Sequence, residues 1–375
     1  MEHTFSCCRF SYERHCDRHA GLHPPLDPIP AWTRSGVGFQ PLAAAGNIYL
    51  SLTSGAIAAL EESTAREVWR LALPRPYSQV AMKDGAFVLH DGHMLVYFDR
   101  ELMVVDPAKG EVTARHPVPP FPLYGAAAER DALVCQFENG GKLFLGALDL
   151  RTGAFLWRQP WPGVNPILTA SEGIVCVRPN RGVLSGIDIA SGQTRWSFSV
   201  EETGRHKDAL GDEYEGELIG VPIAAGGQVI AAVLGHYVLA LDVATGERRW
   251  ARTLNTRNPF NLSYYPDGKL YVLGPRYFHV LNVNTGELVE EHDCEDVFKQ
   301  SGVAGPFTDL GISDDYIYAV DFVGWLIAFH KTRHTIDWTF RCQSKVAALA
   351  APVVLANRMY LLDGRGNFCA FGERA

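Results

Sequence analysis

Apolar and polar residues along this chain form short runs that suit half-buried β-strands. Residues 229–233 and 237–241 are two such runs, rich in Val, Ala and Leu. Turn dipeptides separate runs of this kind, among them Gly226-Gly227 and Asn357-Arg358. The pattern therefore predicts an all-β fold.

One phrase recurs within this pattern. It is fullest at residues 240–250, ALDVATGERRW, where Gly246 follows Asp242 by four positions and Trp250 follows it by eight. Seven copies share the frame, and an eighth, FCAFGERA, begins it at residue 368. The positions equivalent to Asp242 are Glu61, Asp106, Asp149, Asp188, Asp242, Asn282, His330 and Gly372.

Each phrase is preceded by further strand-like runs, so the repeating unit contains four strands in roughly 40–45 residues, the size of a propeller blade. The Asp is expected to accept hydrogen bonds from its own turn, the Gly to supply a positive φ, and the Trp to cover the seam with the next blade. The eighth copy reaches Ala375 without an outer strand, whereas residues 31–37 carry Trp32 in a strand-like run. We predict an eight-bladed β-propeller of four-stranded antiparallel blades, closed by this N-terminal strand.

The first 30 residues form a separate, Cys/His-rich extension ahead of a propeller that spans residues 31–375. Cys16 and His19 have the spacing of metal ligands, and Cys7 or Cys8 could add a thiolate to a zinc site. The segment lacks the second ligand pair of a standard finger, so a loosely packed extension, or one that plugs a face of the propeller, is the alternative. Apart from this zinc set, we expect no cofactor.

The repeated motif A-x-D-x-x-T-G-x-x-x-W resembles that of the PQQ-like, or quinoprotein-type, β-propeller repeat family, and the similarity covers residues 31–375. This resemblance indicates fold more strongly than function, because the family hosts unrelated roles. It implies PQQ and calcium beneath a vicinal disulfide in the quinoprotein dehydrogenases, but here the adjacent pair Cys7-Cys8 precedes the propeller. A second branch, similar to BamB, is an eight-bladed, non-catalytic assembly scaffold of the periplasm. Cytoplasmic members include immunity proteins paired with bacterial toxins.

The charge balance limits the choice of partner. The 375 residues contain 34 Lys and Arg against 42 Asp and Glu, for a net charge of −8. This composition argues against nucleic-acid binding and suits a basic protein partner. We find no apolar run long enough for a transmembrane helix and no signal-peptide core near the N-terminus, so we expect a cytoplasmic protein without membrane contact.

The loops between blades carry aromatic residues and Arg, the residue types that most often anchor protein interfaces. The alternative is that they plug the channel mouth and stiffen the loops. An acidic insertion at residues 199–220 could steer a cationic partner, or could be a solvated surface loop. The candidate partner-binding residues are Tyr77, Phe121, Tyr124, Trp161, Glu213, Tyr214, Glu215, Arg257, Phe260, Tyr264 and Trp325.

No common enzyme motif is present: G-x-S-x-G, a Walker loop and H-E-x-x-H are all absent. We interpret His236 and His279 as structural. The sequence thus predicts a non-catalytic protein-binding propeller, monomeric on its own, in an immunity or adaptor role. The alternatives are a quinoprotein-like or metal-dependent enzyme with its site in the channel, a BamB-like scaffold, and a glycan-processing propeller, which would need paired carboxylates.

Overall fold

The structure is a computed structural model, and it confirms an all-β ring of eight four-stranded antiparallel blades. Each blade follows chain order from its innermost to its outermost strand, and the innermost strands of neighbouring blades lie side by side around the channel. The described residues are 2–4, 24, 26, 30–37, 42–44, 46–74, 87–98, 100–118, 126–162, 168–200, 206–207, 213–214, 216–233, 237–256, 261–305, 307–308, 310–321, 323–342, 352–355, 358–363 and 365–372.

Blades 1 to 4 occupy the first half of the chain, after two short N-terminal strands, β1 (Glu2–Thr4) and β2 (Trp32–Arg34). Their strands are β3 (Leu42–Ala44), β4 (Asn47–Leu52), β5 (Ala56–Glu61) and β6 (Glu67–Ala72) in blade 1; β7 (Phe87–His90), β8 (His93–Phe98), β9 (Glu101–Asp106) and β10 (Glu111–Pro117) in blade 2; β11 (Ala126–Glu129), β12 (Ala132–Asn139), β13 (Lys142–Asp149) and β14 (Phe155–Pro160) in blade 3; β15 (Thr169–Ser171), β16 (Ile174–Asn180), β17 (Val183–Asp188) and β18 (Thr194–Ser199) in blade 4.

Blades 5 to 8 follow a small hairpin of β19 (His206–Lys207) and β20 (Glu213–Tyr214), and one helix, α1 (Glu295–Ser301), follows blade 6. Their strands are β21 (Leu218–Ala225), β22 (Gln228–Val233), β23 (Tyr237–Asp242) and β24 (Arg248–Thr253) in blade 5; β25 (Ser263–Tyr265), β26 (Lys269–Leu273), β27 (Tyr277–Asn282) and β28 (Leu288–Asp293) in blade 6; β29 (Gly311–Ile312), β30 (Tyr316–Val320), β31 (Trp325–His330) and β32 (Ile336–Arg341) in blade 7; β33 (Val353–Leu355), β34 (Arg358–Leu362) and β35 (Phe368–Gly372) in blade 8.

Blade 8 obtains its outer strand from the start of the chain, as predicted. Strand β2 pairs antiparallel with β35, with Trp32 opposite Ala370 and Arg34 opposite Phe368. The indole of Trp32 packs 5.6 Å from the ring of Phe368. The N-terminal strand therefore completes the last blade and joins the two ends of the ring by hydrogen bonds.

The core lies between the blades. Among the described residues the buried apolar side chains form eight clusters, and each cluster joins two neighbouring blades. The second and third strands are buried along almost their whole length, as in β22 with all six residues buried, whereas the outer strands alternate between buried and exposed positions. Stacking of blades thus buries both faces of each small sheet, which one blade could not do alone.

Three elements were not predicted from the repeat. Strand β1 adds to the inner edge of blade 1 by pairing with β3, so the start of the chain lies at the channel. The hairpin β19–β20 falls within the acidic insertion, and α1 follows the outer strand of blade 6. In the part of the chain that the structure describes, no helix is long and apolar enough to cross a membrane.

Candidate functional site

The repeated Asp residues hold their own turns together. Oδ1 of Asp242 accepts the backbone N–H groups of Ala244 and Thr245, both at 2.9 Å, and Oδ2 accepts two hydrogen bonds from the Arg249 guanidinium. The Arg249 hydrogen bonds are the main reason that the pKa of Asp242 is lowered. Since its oxygens already have partners, this carboxylate serves the fold rather than chemistry.

Other copies use the same arrangement. Asp188 accepts a backbone N–H from Ser191 and two bonds from Arg195, and these hydrogen bonds lower its pKa to about 2. In blade 7 a histidine takes the place of the carboxylate: Nδ1 of His330 accepts the N–H groups of Thr332 and Arg333 at 3.2 and 3.1 Å. The imidazole reproduces the hydrogen-bond acceptor of the turn but not its permanent negative charge.

The repeated Trp residues close the seams between blades. Nε1 of Trp157 in blade 3 donates to the carbonyl of Ile189 in blade 4 at 2.7 Å. Gly192, with φ 73°, lies directly against the indole, so a Cβ there would be 2.6 Å from Cδ2 of Trp157. We call this pairing a Trp–Gly seam. The same indole-to-carbonyl bond and Gly contact occur at Trp69 with Pro107 and Gly110, Trp196 with Val243 and Gly246, and Trp250 with Val283 and Gly286.

A groove of about 540 Å³ runs over blades 3, 4 and 5. Its walls are the turns between the first and second strands of blades 3 and 4, the turns between the third and fourth strands of blades 3 to 5, and the outer strands of blades 3 and 4. Its residues are Glu129, Arg130, Asp131, Ala132, Asp149, Arg151, Leu156, Glu172, Gly173, Ile174, Asp188, Ile189, Ala190, Arg195 and Ala244. A concave site with an apolar floor and a few polar groups is the usual form of a binding site.

The groove lies on the face of the ring that carries these two sets of turns, which we call the turn face. In an antiparallel blade the turns after the first and third strands point to one side, and the turn after the second strand points to the other. The outer strand of each blade also ends on that other side, which we call the loop face. The groove is therefore on the face opposite to Trp161 and Trp325, which lie at the loop-face ends of their blades.

The charges of the groove are only partly paired. Arg195 bonds Asp188, and Arg151 lies 3.5 Å from Asp149, so these Arg residues are largely neutralised within the groove. Oε1 of Glu129 accepts the N–H of Gly173 at 2.7 Å, which joins blade 3 to blade 4.

Two further carboxylates line the groove without an ion pair to a described residue. The buried Oε2 of Glu129 has no hydrogen-bond partner among the described residues. Glu172 lies in an exposed turn and forms no ion pair with a described residue. The inner end of the groove thus carries the exposed carboxylate of Glu172 and the buried carboxylate oxygen of Glu129, and the exposed Arg130 lines the same groove.

An exposed apolar side chain lines the outer part of the groove. Leu156 lies on β14 and is 46% exposed. Val68 of blade 1 and Val289 of blade 6 occupy the equivalent positions on their outer strands and are 45% and 54% exposed. Exposure thus goes with this position of the repeat, and at Leu156 the exposed side chain lies at a groove.

The predicted partner-binding residues that the structure describes lie apart from this groove. Trp161 is only 8% exposed and packs into the core between blades 3 and 4, so it presents little surface to a partner. Tyr264 and Trp325 are half-buried on β25 and β31, and the Arg341 guanidinium lies 4.9 Å over the Trp325 ring. Glu213 and Tyr214 form β20 of the small hairpin.

The remaining predicted residues lie outside the described part of the chain. They comprise the proposed zinc set and most of the aromatic residues that we predicted as interface anchors, so their roles stay predictions. They are Cys7, Cys8, Cys16, His19, Tyr77, Phe121, Tyr124, Glu215, Arg257 and Phe260.

The described residues do not supply the quinone-and-calcium set that the family resemblance implies for its dehydrogenase branch. Within them, no group of three or more His, Cys, Asp or Glu side chains is placed to hold a metal ion. The described cysteines lie singly in the core, four of them buried and Cys369 half-buried, and burial raises the pKa of each thiol. Such thiols are poor nucleophiles and metal ligands.

Sequence reasoning missed the groove because its residues come from different blades. Glu129 and Glu172 are 43 positions apart, close to one repeat length, and no local motif joins them. The position seven residues after the turn residue varies between copies: it is Leu156 in blade 3, Arg195 and Arg249 in blades 4 and 5, and Val68 and Val289 in blades 1 and 6. No local pattern therefore marked the groove.

Comparisons with known proteins agree with the propeller architecture that the repeat predicts. A family model described as outer membrane protein assembly factor BamB matches residues 142–300. A BamB of Bordetella pertussis is 24% identical over 263 residues, which cover 65% of this chain and 64% of that relative, so this chain matches less than two thirds of the relative's length.

Solved structures of low sequence identity share the fold. The crystal structure of BamB from Moraxella catarrhalis superposes with a TM-score of 0.59 at 14% identity, covering 92% of this chain and 99% of that one. A quinohemoprotein alcohol dehydrogenase from Comamonas testosteroni also gives a TM-score of 0.59, at 12% identity, covering 94% of this chain and 78% of that one. Because an assembly factor and an enzyme superpose equally well, the likeness bears on architecture alone.

Proposed function

Since this chain is a PQQ-like, BamB-like eight-bladed propeller, we propose that it is a non-catalytic scaffold that binds a protein partner through the turn-face groove of blades 3 to 5. The observation that carries the proposal is that one groove combines the exposed carboxylate of Glu172 with the exposed side chain of Leu156. The repeated Asp and Trp residues, by contrast, are occupied by the fold.

The groove favours a partner segment that combines a basic and an apolar side chain. A Lys or Arg at the inner end would pair with the exposed Glu172, which forms no ion pair with a described residue. An apolar side chain at the outer end would cover Leu156 and remove its exposed surface from water. The net charge of −8 adds long-range attraction toward a basic partner.

The name of the Bordetella relative, an assembly factor, supports binding rather than catalysis. The immunity or adaptor role that we predict from the sequence is a more specific form of the same proposal, with one partner and a monomeric propeller in the cytoplasm. In either form, the propeller would work without a bound cofactor.

The test is affinity purification of the tagged full-length chain from its native cells, with companions identified by mass spectrometry. Two variants alter the groove, Glu172→Lys and Leu156→Glu. Each has a matched control: Glu138→Lys changes an exposed carboxylate at the loop-face end of the neighbouring blade 3, and Val289→Glu changes the equivalent exposed apolar residue of blade 6.

We expect a stoichiometric companion that both controls retain and both groove variants lose, with affinity for the purified companion reduced at least about tenfold. A companion retained by all four variants would place binding elsewhere on the ring. A solitary protein with a quinone-like absorbance would replace the proposal with a channel enzyme.

A further inference from the structure

The seam between blades 6 and 7 departs from the repeat at both of its defining positions. Glu290 occupies the position of the seam Trp, eight residues after Asn282. His334 occupies the position of the seam Gly, four residues after His330, and keeps the positive φ of that turn at 55°. A non-Gly residue in this backbone region is uncommon, although Ala65 also adopts it in the equivalent turn of blade 1.

The polar side chains that make contacts with His334 are ionisable. Nε2 of His334 contacts Oε1 of Glu290 across the seam. The ring of His292, two residues after Glu290, stacks on the ring of His334 with centroids 3.9 Å apart and planes inclined by 20°. Phe278 and Phe329 pack against the same imidazole at 5.8 and 6.2 Å. Where the four Trp–Gly seams place an indole on a Gly, this seam places two imidazoles and a single carboxylate.

The other charged groups near the pair are already occupied. Asp293 is bonded by Arg276 at 2.6 and 2.9 Å. On the blade 7 side, Arg333 pairs with Asp337. The negative charges of Asp337 and Asp315 act to raise the pKa of His330, against the larger effect of burial. Tyr271 and Cys294, which feel the charge of Glu290, are held neutral by burial, since burial raises the pKa of both. Glu290 is therefore the counter-ion that faces the two stacked rings.

Acidification changes the charge of this seam. Burial, and then the neighbouring His334, lower the pKa of His292, so the fold favours its neutral form. Stability that depends on neutral His292 is present above the ordinary histidine pKa of about 6.5 and is lost as the pH falls below it. A proton on His292 places a cation directly against the stacked imidazole of His334, with the Glu290 carboxylate as the nearby counter-ion.

The adjacent turn has the same sensitivity. Nδ1 of His330 accepts two backbone N–H groups where other copies use a carboxylate. Protonation of Nδ1 would turn this acceptor into a donor and break both hydrogen bonds. Burial lowers the pKa of His330, so this loss also belongs below the ordinary histidine range.

We propose that the seam between blades 6 and 7 is an acid-sensitive joint, at which the ring opens locally when its stacked histidines are protonated, while the Trp–Gly seams stay closed. The seam between blades 2 and 3 provides an internal contrast. It also lacks the Trp, and His116 lies two residues past the vacant position, but His116 faces Gly153 and the carbonyl of Leu150 rather than a second histidine. One imidazole without a stacked neighbour has no like charge to repel.

The test is hydrogen exchange of the full chain followed by mass spectrometry at pH 7.5 and 5.5, corrected for the intrinsic pH dependence of exchange. We expect peptides covering β28 and the His330–His334 turn to lose protection by about tenfold or more at pH 5.5. Peptides covering the Trp–Gly seams of blades 3, 4 and 5 are expected to keep theirs. Equal loss in all blades would overturn the proposal, because it would indicate global unfolding.

Variants that restore the repeat distinguish a local effect of pH at this seam from a general sensitivity of the protein to acid. Glu290→Trp combined with His334→Gly rebuilds a Trp–Gly seam, and His292→Phe keeps a stacked ring without a charge. Both leave His279, a buried histidine on the other side of blade 6, unchanged. We expect either variant to remove most of the local pH effect, whereas His116→Phe leaves it intact. If both restoring variants lose protection at β28 as the wild type does, the proposal is wrong.

Discussion

At the scale of single residues, the most demanding group in the core is a buried carboxylate. Asp321 is fully buried at the turn between β30 and β31. Its Oδ1 accepts the N–H groups of Val323 and Trp325 at 3.0 and 2.7 Å, and Oδ2 accepts that of Ala304 at 3.1 Å. Asp363 holds the corresponding turn of blade 8 in the same way. A buried charge of this kind is tolerated because every bond it makes is to a backbone donor.

Replacing Asp321 with Asn tests this role. The amide keeps one acceptor oxygen but presents an NH₂ group to one of the three donors, which leaves a buried N–H without a partner. We expect Asp321→Asn to lower the free energy of unfolding by about 1–3 kcal/mol in urea denaturation. Glu138→Gln, an exposed change of the same chemistry, is the control. A cost below about 0.5 kcal/mol would mean that the turn does not depend on the carboxylate.

Residue roles were predictable where the sequence repeats and not where it varies. The Asp, Gly and Trp of the phrase do what their chemistry suggested, because each acts within one turn or on the adjoining seam. The groove depends on Glu129 and Glu172, which meet only after two blades have stacked. Loop aromatics were predicted as anchors from their type alone, but Trp161 lies in the core, since an aromatic side chain suits buried packing equally well.

At the scale of elements, the blade is defined by the seam it makes with the next one. The outer strand β14 places the indole of Trp157 over the β17–β18 turn, where Gly192 leaves room for it. A Cβ at Gly192 would overlap the indole, so the two positions are sterically coupled. The pairing explains why Trp and Gly recur together in the repeat although they belong to different blades.

A double-mutant cycle measures this coupling. Trp157→Ala removes a half-buried indole and should cost about 3 kcal/mol, and Gly192→Ala should cost more than the strain of a positive φ alone. Gly268→Ala supplies that reference, with φ 80° and no atom within 4 Å of a new Cβ, for an expected 1–2 kcal/mol. We expect the double variant to be destabilised by clearly less than the sum of the two single changes. If the losses in the free energy of unfolding, measured by urea denaturation, are strictly additive, the contact between Trp157 and Gly192 does not couple the two positions.

The number and type of blades followed from the period of the phrase, whereas the added elements did not. A repeat of roughly 40–45 residues with four strand-like runs leaves few architectures other than a propeller. Strand β1 is only three residues long and pairs with an inner edge, so no local pattern marks it. Helix α1 is seven residues long, too short for its periodicity to be distinguished from a loop.

At the scale of the whole molecule, the ring depends on a junction between the two ends of the chain. The outer strand of blade 8 contributes only Trp32–Arg34, yet it joins residues 336 positions apart, as in the pair Thr33 and Cys369. Closure of such a long loop carries a large entropic cost in the unfolded chain. The junction is therefore the point at which a small change in contact should have the largest effect on global stability.

A disulfide across this junction would test the closure directly. Oγ1 of Thr33 lies 3.7 Å from Sγ of Cys369, and the two residues are directly opposite in the β2–β35 pair, so Thr33→Cys brings two thiols together. Under oxidising conditions we expect the bond to form and to raise the free energy of unfolding by up to about 5 kcal/mol, because it constrains the unfolded chain across nearly its whole length. The gain should vanish on reduction and in Thr33→Cys combined with Cys369→Ser. If Thr33→Cys oxidises without forming this intramolecular bond, as judged by peptide mapping, then β2 does not close the ring against β35.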